Sequence, residues 1–343
     1  MKAAVIYSKA SSTDLNSADN QDTYIQLQEI SAILKELGID VFTQPMQNSI
    51  AEIEQALAQN KPDFVFNLVE TLNGTDGLIY LAAAFFEMLQ MPYSGCSAIT
   101  LAMLAGKIRQ KKMLRLAKLP TADFITEVSN HFAIDVEQTD GLWIVKSNTE
   151  HASVGMNSGS VVATSKAAKL KIQQMKKLHQ GEWFAERFID GREFNISMLE
   201  TGNGEVQLLP AAEIRFVNFP DGVPKIVDYE AKWNEQSAVY QGTQRCFDFP
   251  TSDAPLLALI DAMSRRCWEL FDLRGAARVD FRIDADGNPW ILEVNPNPCL
   301  SADAGFMAAA AQAGLSGKKV ISRLIPIQFT LSNSLGGADI NNV

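Results

Sequence analysis

Apolar residues along the first third of the chain follow two alternating rhythms. Residues 3–7 (AAVIY) are a continuous apolar run of buried-strand type. Tyr24, Leu27, Ile30, Leu34 and Leu37 then recur at helical spacing until Gly38 offers a stop. A strand over 41–43, a helix over 50–58, a strand over 64–69 and a helix over 78–90 continue the series. This strict alternation predicts a doubly wound parallel sheet, an α/β architecture.

After Pro92 the pattern changes. One helix is predicted over 97–117, then a strand over 142–146, a polar loop, a strand over 160–163 and a lysine-rich helix over 165–179. Lys166, Lys169, Lys171, Lys176 and Lys177 mark the solvated face of that helix. Strands over 183–189, 193–199, 206–214, 277–283 and 290–294 have short connections and pair antiparallel, an α+β arrangement. A helix over 255–270 interrupts them, with Thr251, Ser252 or Asp253 available as its N-cap. Residues 220–249 have little periodicity and read as a lid or binding loop. The fold class expected is therefore α/β and α+β, with units at 1–95, 96–181 and 182–330 and a frayed tail over 331–343.

Composition narrows the partners. Forty acidic residues against thirty basic ones give a net charge of -10, which disfavours nucleic acid and anionic membranes. The longest apolar run, 78–86, falls short of the roughly 18 residues that span a bilayer. The start MKAAVIYSKASSTD is too short in its apolar part for a signal-peptide core. Cys96, Cys246, Cys267 and Cys299 are scattered, without the spacing of a zinc knuckle or redox pair. A reduced, cytoplasmic protein is expected.

The most informative stretch is ARVDFRIDADGNPWILEVNPNP, residues 277–298. Asp286-Gly287 favours a two-residue type I′ hairpin in which Ala285 faces Asn288. Asp280 then lies opposite Glu293 and Arg278 opposite Asn295, all on one face, while Val279, Phe281, Leu292 and Val294 fill the other. Opposed carboxylates ask for a cation between them, and oxygen-only donors select a hard ion such as Mg²⁺. On pattern alone, an exposed charged face with Arg278 as counter-ion remains the alternative.

Two weaker constellations precede it. Lys146 ends a strand before NTEHASVGMNSG, where Ala152, Ser153 and Gly155 would let backbone N–H groups approach phosphate oxygens. In EWFAERFIDGREF, Glu186 and Arg187 precede a turn at Asp190-Gly191 and Glu193 follows it. A carboxylate there suits ribose hydroxyls, and a plain surface hairpin fits the pattern as well.

VKSNTEHASVGM, ERFIDGREF, DYEAKW and RVDFRIDADGNPWILEVNPNP, in that order, resemble the ATP-grasp superfamily and within it the D-alanine–D-alanine ligase family. FNLVETLNGTDG, MPYSG and the helix bearing Lys107 extend the resemblance over nearly the whole chain. It implies an ATP-grasp fold behind an N-terminal doubly wound domain, with ATP between two antiparallel sheets. By the same resemblance, Lys107 and Lys146 contact the nucleotide phosphates, with Ser153 and Gly155 in a loop over them. Glu186, Arg187 and Ile189 resemble the adenine-reading segment, Glu193 the ribose-binding acid, and Lys232 a phosphate-contacting lysine of a closing loop. Asp280, Glu293 and Asn295 resemble the ligands of two Mg²⁺ ions, with Mn²⁺ an alternative, and Arg278 the arginine that stabilises a tetrahedral intermediate. Cys299 stands where the family has a glycine whose backbone N–H joins the oxyanion site, and a small buried thiol is the simple reading of its side chain.

The implied activity is an ATP- and Mg²⁺-dependent carboxylate–amine ligase that works through an acyl phosphate on small amino-acid or peptide substrates. The departures fall on those substrates. YSKASSTDLNSADNQ lacks the family's glycine pair, serine and glutamate anchor; Glu70 and Thr75 replace a histidine and an acid; Ala304 stands where a serine meets the second substrate's carboxylate. A catalytically silent ATP-binding regulator, or a ligase acting on a non-amino-acid acid, are the alternatives. His131, His151 and His179 are expected to have no direct role, and a homodimer is one option for assembly.

Overall fold

A computed structural model describes residues 1–9, 18–47, 49–127, 140–150, 155–179, 181–202, 205–234 and 236–326. Ser153, His131, His151 and the expected tail over 331–343 lie outside the described residues.

The chain opens β1 (Lys2–Ser8), α1 (Ala18–Glu36), β2 (Asp40–Met46), α2 (Ile50–Asn60), β3 (Phe64–Leu68) and α3 (Tyr80–Met88). The three strands are parallel in the order β2-β1-β3. β1 shows why both faces carry helices. Ala3 and Val5 point into a core with Leu27, Ile30 and Leu34 of α1, while Ala4 and Ile6 point to the other side against Ile53, Leu57, Phe85 and Phe86. Each such Val, Leu, Ile or Phe side chain, fully buried, contributes about 1.5–3 kcal/mol.

The next elements are α4 (Ala98–Leu104), α5 (Lys107–Leu116), β4 (Phe124–Thr126), β5 (Asp140–Ser147), β6 (Val161–Thr164), α6 (Ser165–Leu178) and β7 (Trp183–Arg187). The helix expected over 97–117 is two helices. Gly106 sits between them at φ -119, ψ 118, a residue of poor helix propensity, and a distant side chain stabilises the break. Asn148 Oδ1 accepts from the Ile108 N–H at 2.8 Å and the Asn148 carbonyl from the Lys107 N–H at 2.9 Å. The cap thus comes from the loop after β5, where helix periodicity gives no hint of it. The strands form an antiparallel sheet, β4-β7-β5-β6, covered on one side by Ala168, Ile172 and Met175 of α6.

The remaining elements are β8 (Arg192–Glu200), β9 (Val206–Leu208), β10 (Ala212–Phe216), α7 (Tyr229–Trp233), α8 (Ala238–Gly242), β11 (Thr243–Cys246), α9 (Ala254–Leu270), β12 (Ala276–Ile283), β13 (Pro289–Asn295), α10 (Gly305–Gln312) and α11 (Gly317–Leu324). The strand expected over 206–214 is divided between β9 and β10. The expected loop over 220–249 contains two short helices and a strand, the helices capped by Asp228 and Ser237, whose side chains accept from Ala231 and Tyr240 N–H groups. Asp253 occupies the N-cap position of α9, but its carboxylate accepts from Arg192 at 2.7 Å and caps nothing. The sheet runs β11-β10-β8-β12-β13, with β9 also on β8. Phe194, Ile196, Val279, Phe281, Ile291 and Val294 on its inner face pack with Leu101 and Leu104 of α4 and Ile260, Met263 and Cys267 of α9. α10 and α11 cross back to the first sheet, Phe306, Ala309, Val320 and Ile321 joining the core of α1 and β1. The fold is α/β and α+β, with a doubly wound parallel-sheet domain at its N-terminal end.

Candidate active site

The outer face of the last sheet holds the chemistry, and the β12–β13 hairpin sets its register. Its turn is not type I′. Asp284 N–H donates to Asn288 O at 3.0 Å, Gly287 N–H donates to Asp284 O at 3.1 Å, and of the loop residues only Gly287 has positive φ, at 83°. This is a three-residue loop, a type I turn followed by a left-handed glycine. The Asp284 carboxylate favours it by accepting from the Asp286 and Asn288 N–H groups at 3.0 and 2.8 Å and from Trp290 Nε1 at 2.8 Å. The extra loop residue displaces the register by one, and an irregularity beyond Asp280 restores it. Asp280 therefore faces Glu293 and Arg278 faces Asn295, as expected. Leu292 is the correction: the bulge sends Ile291 into the core and Leu292 into the cleft.

A cleft of about 1160 Å³ opens over this face. Its other walls are Ile144, Lys146 and Glu186 of the central sheet, Lys107 of α5, and the C-terminal ends of the parallel strands, with Lys9, Gln47 and Glu70. Residues at the carboxyl ends of parallel strands are where α/β sheets present ligand groups.

The electrostatics fall into three groups. Arg278 grips Asp280 bidentately, Nε to Oδ1 at 2.7 Å and Nη2 to Oδ2 at 2.8 Å, and Asn195 Nδ2 adds a bond to Oδ1 at 2.8 Å. On the opposite wall Glu186, 1% exposed, lies between Lys146 Nζ at 2.6 Å and Lys111 Nζ. Burial alone would raise the Glu186 carboxyl, but the two ammonium groups outweigh it and hold it below the usual range. Lys107 Nζ lies 3.5 Å from Glu293 and donates to Glu150 O at 3.0 Å. The third group is acidic. Cys299 Sγ donates to Asp22 Oδ2 at 3.1 Å, Ser301 Oγ to Asp22 Oδ1 at 3.0 Å, and Gln26 Nε2 to Glu70 Oε1 at 2.9 Å. Burial, with Asp22 and Asp76 nearby, raises the Glu70 carboxyl; burial, then Glu70 and Asp22, push the Cys299 thiol up.

Most of the residues singled out from sequence meet here. Arg278, Cys299, Lys107, Lys146, Glu186, Arg187, Ile189, Glu193, Lys232, Asp280, Glu293 and Asn295 all line the cleft. Several are already engaged. Glu186 is the counter-ion of Lys111 and Lys146, Arg187 lies over the Trp143 ring at 4.6 Å, and Glu193 pairs with Arg282 at 2.8 Å. Lys232 is reached by water within the cleft yet ringed by protein, and that enclosure, together with the Arg278 charge, lowers its ammonium pKa. Gly155 is not a cleft-lining residue. Its φ is 74°, and a Cβ at this position would meet Trp183 Cη2 at 2.8 Å, so packing alone requires glycine there. His179 packs against Trp183 with ring centroids 5.6 Å apart.

The chain matches the family described as D-ala D-ala ligase C-terminus over residues 113–326. It belongs to that family. With membership goes the enzyme class, an ATP-dependent carboxylate–amine ligase. The chain is similar to the D-alanine–D-alanine ligase of Aquifex aeolicus, 26% identical over 86% of this chain and 92% of that protein. It is 29% identical to the enzyme of Neisseria gonorrhoeae over 82% of this chain and 84% of the other. The crystal structure of the Bacillus anthracis D-alanine–D-alanine ligase complexed with ATP shares the fold, with a TM-score of 0.70 at 19% identity over 98% of this chain and 100% of that one. Family membership does not favour the silent-regulator alternative.

The donor set fits Mg²⁺. Among the described residues no cluster of three or more His, Cys, Asp or Glu side chains forms a metal site. Two carboxylates and an amide, Asp280, Glu293 and Asn295, share one wall instead, and Mg²⁺ commonly takes one or two carboxylates and completes its shell with water and phosphate.

Asn195, Asp22, Arg245 and Asp303 line the cleft and Lys111 lies buried behind Glu186, and no sequence motif singles any of them out. Lys111 is the most accessible of these to sequence reasoning, because it follows Lys107 at i+4 and shares its helix face. Asp22 reaches the cleft only because α1 packs beside the chain that follows β13, which no local pattern reports.

Proposed function

We propose that this cleft binds ATP with two Mg²⁺ ions and joins the carboxylate of one amino acid or peptide to the amine of another through an acyl phosphate. The reading rests on one observation: four cations, Lys107, Lys146, Lys232 and Arg278, surround one cleft with Asp280, Glu293 and Asn295 on its wall. Lys107 and Lys146 would hold the phosphates, their ammonium groups kept in place by Glu293 and Glu186. Glu193 would accept from ribose hydroxyls, with Ile189 and Leu292 against the base. Mg²⁺ on Asp280, Glu293 and Asn295 would neutralise phosphate charge.

The substrate carboxylate attacks the γ-phosphorus and ADP departs; the amine then attacks the acyl carbon and phosphate departs. The protein's own contribution is positioning and charge stabilisation. Arg278, whose Nε and Nη2 are held by Asp280, would turn its remaining N–H groups to the oxyanion, with the Cys299 backbone N–H as a second donor. The Asp22–Glu70 pair suits an ammonium group, which favours an amino acid over a plain acid as the acyl donor. ATP supply and four free cysteines fit action in the cytoplasm.

The test is release of ADP and phosphate across a panel of amino-acid pairs, D-alanine alone included. Turnover that disappears in Asp280→Asn while ATP binding persists supports the reading; an AMP-PNP-binding protein that turns over no pair contradicts it.

A further inference from the structure

Arg282 is a charged residue of the cleft wall that the ligase chemistry above does not use. It follows Arg278 and Asp280 at two-residue intervals along β12, so all three stand on the cleft face. Across the sheet it lies directly opposite Glu193 of β8, as Asp280 lies opposite Asn195. Arg282 is nonetheless only 4% exposed. Its guanidinium carbon lies 5.6 Å from the Phe188 ring and 5.4 Å from the Phe216 ring, one from the β7–β8 connection and one from β10. The N–H groups are divided among three partners: Nη1 donates to Gly191 O at 3.1 Å, Nη2 donates to Lys225 O, and Nη2 lies 2.8 Å from Glu193 Oε2. Two backbone carbonyls and two rings therefore fix the guanidinium, and the guanidinium in turn holds one oxygen of Glu193.

We propose that Arg282 is the positioning residue for the ribose end of the nucleotide, acting through the orientation of Glu193. The proposal rests on the reading of Glu193 as the ribose acceptor. A glutamate side chain that must be ordered when its ligand arrives loses part of the hydrogen-bond energy to that ordering. Glu193 escapes this cost, because Oε2 is committed to Arg282 and Oε1 is left to face the cleft. The buried guanidinium has no water to take the place of the carboxylate, so the pair is kept formed. The planar fork is what lets one side chain reach Gly191, Lys225 and Glu193 together; a lysine would keep the charge and lose that geometry.

Nucleotide binding without turnover tests this. ATP, 2′,3′-dideoxy-ATP and inorganic tripolyphosphate, each with Mg²⁺ and no amino acid, are titrated calorimetrically into wild type, Arg282→Met, Arg282→Lys, Glu193→Gln and the double variant Arg282→Met/Glu193→Gln. Wild type should bind ATP about tenfold or more tightly than the dideoxy nucleotide. Arg282→Met should lose most of that preference while dideoxy-ATP and tripolyphosphate stay within about twofold of wild type, and Arg282→Lys should fall between. The double variant, which strands no carboxylate, should show the same ratio of ATP to dideoxy-ATP affinity as Glu193→Gln alone. The proposal is overturned if Arg282→Met keeps the wild-type preference, or if it weakens ATP and dideoxy-ATP equally, as a purely structural pair would. Should Arg282→Met not fold, the same two outcomes in Arg282→Lys decide. Preference lost in Glu193→Gln but kept in Arg282→Met would sink this proposal and leave the ribose reading of Glu193 standing; no preference in wild type overturns both.

Discussion

Neutralising Glu186 should destabilise the protein by about 2–4 kcal/mol. The carboxylate is 1% exposed and lies between two ammonium groups, of which Lys111 is equally buried and Lys146 is 16% exposed. In Glu186→Gln, Lys146 can regain water, but Lys111 keeps only Thr121 Oγ1 at 2.8 Å and the amide oxygen. Removing one partner of a buried pair costs about 3–5 kcal/mol, and the retained acceptor returns about 1 kcal/mol. Urea unfolding followed by tryptophan fluorescence, with the slope unchanged, reads the difference. Lys111→Met should cost less in the Glu186→Gln background than in wild type, because the buried charge it removes is already stranded there. The pH dependence has a definite sign. Glu186 titrates below its ordinary 4.5 in the folded state, so its contribution is complete above that value and is lost as pH falls through the lower folded one. The gap between wild type and Glu186→Gln should therefore close in acid. A loss under about 1 kcal/mol, or strictly additive single and double variants, would refute the counter-ion role.

Other outcomes follow from single contacts. Gly155→Ala forces a side chain into φ 74° and to 2.8 Å from Trp183, so the melting temperature should fall by an amount equivalent to about 1–3 kcal/mol; an unchanged melting curve would refute the packing role. The Cys299 thiol, raised by burial and by Glu70 and Asp22, should stay protonated at pH 8 and resist iodoacetamide. Rapid labelling at Cys299, read by mass spectrometry of the peptides, would contradict this.

The fold is legible in the sequence wherever a pattern is local. Alternation of apolar runs locates β1 to α3, and period two puts Arg278, Asp280, Glu293 and Asn295 on one face. The turn misleads because Asp-Gly suits two loop lengths, and Asp284, which decides between them, acts through bonds to residues up to six positions away. The register survives because the bulge beyond Asp280 compensates for the longer loop. Groups joined by packing leave no such trace. Asn148 caps a helix forty residues earlier, Glu186 joins Lys111 to Lys146, and Asp22 meets Cys299 across 277 positions. Of the short helices after residue 220, Asp228 and Ser237 are visible as caps, but runs of five residues carry too little periodicity to stand out.

The central claim is that a carboxylate oxygen becomes an oxygen of the released phosphate, since the amine displaces a phosphoryl group bound through it. The direct measurement uses an acyl substrate labelled with ¹⁸O in both carboxylate oxygens and reads the products by mass spectrometry. The account predicts ADP, one ¹⁸O in the phosphate and one in the amide. Label found in AMP, or phosphate carrying none, would contradict it.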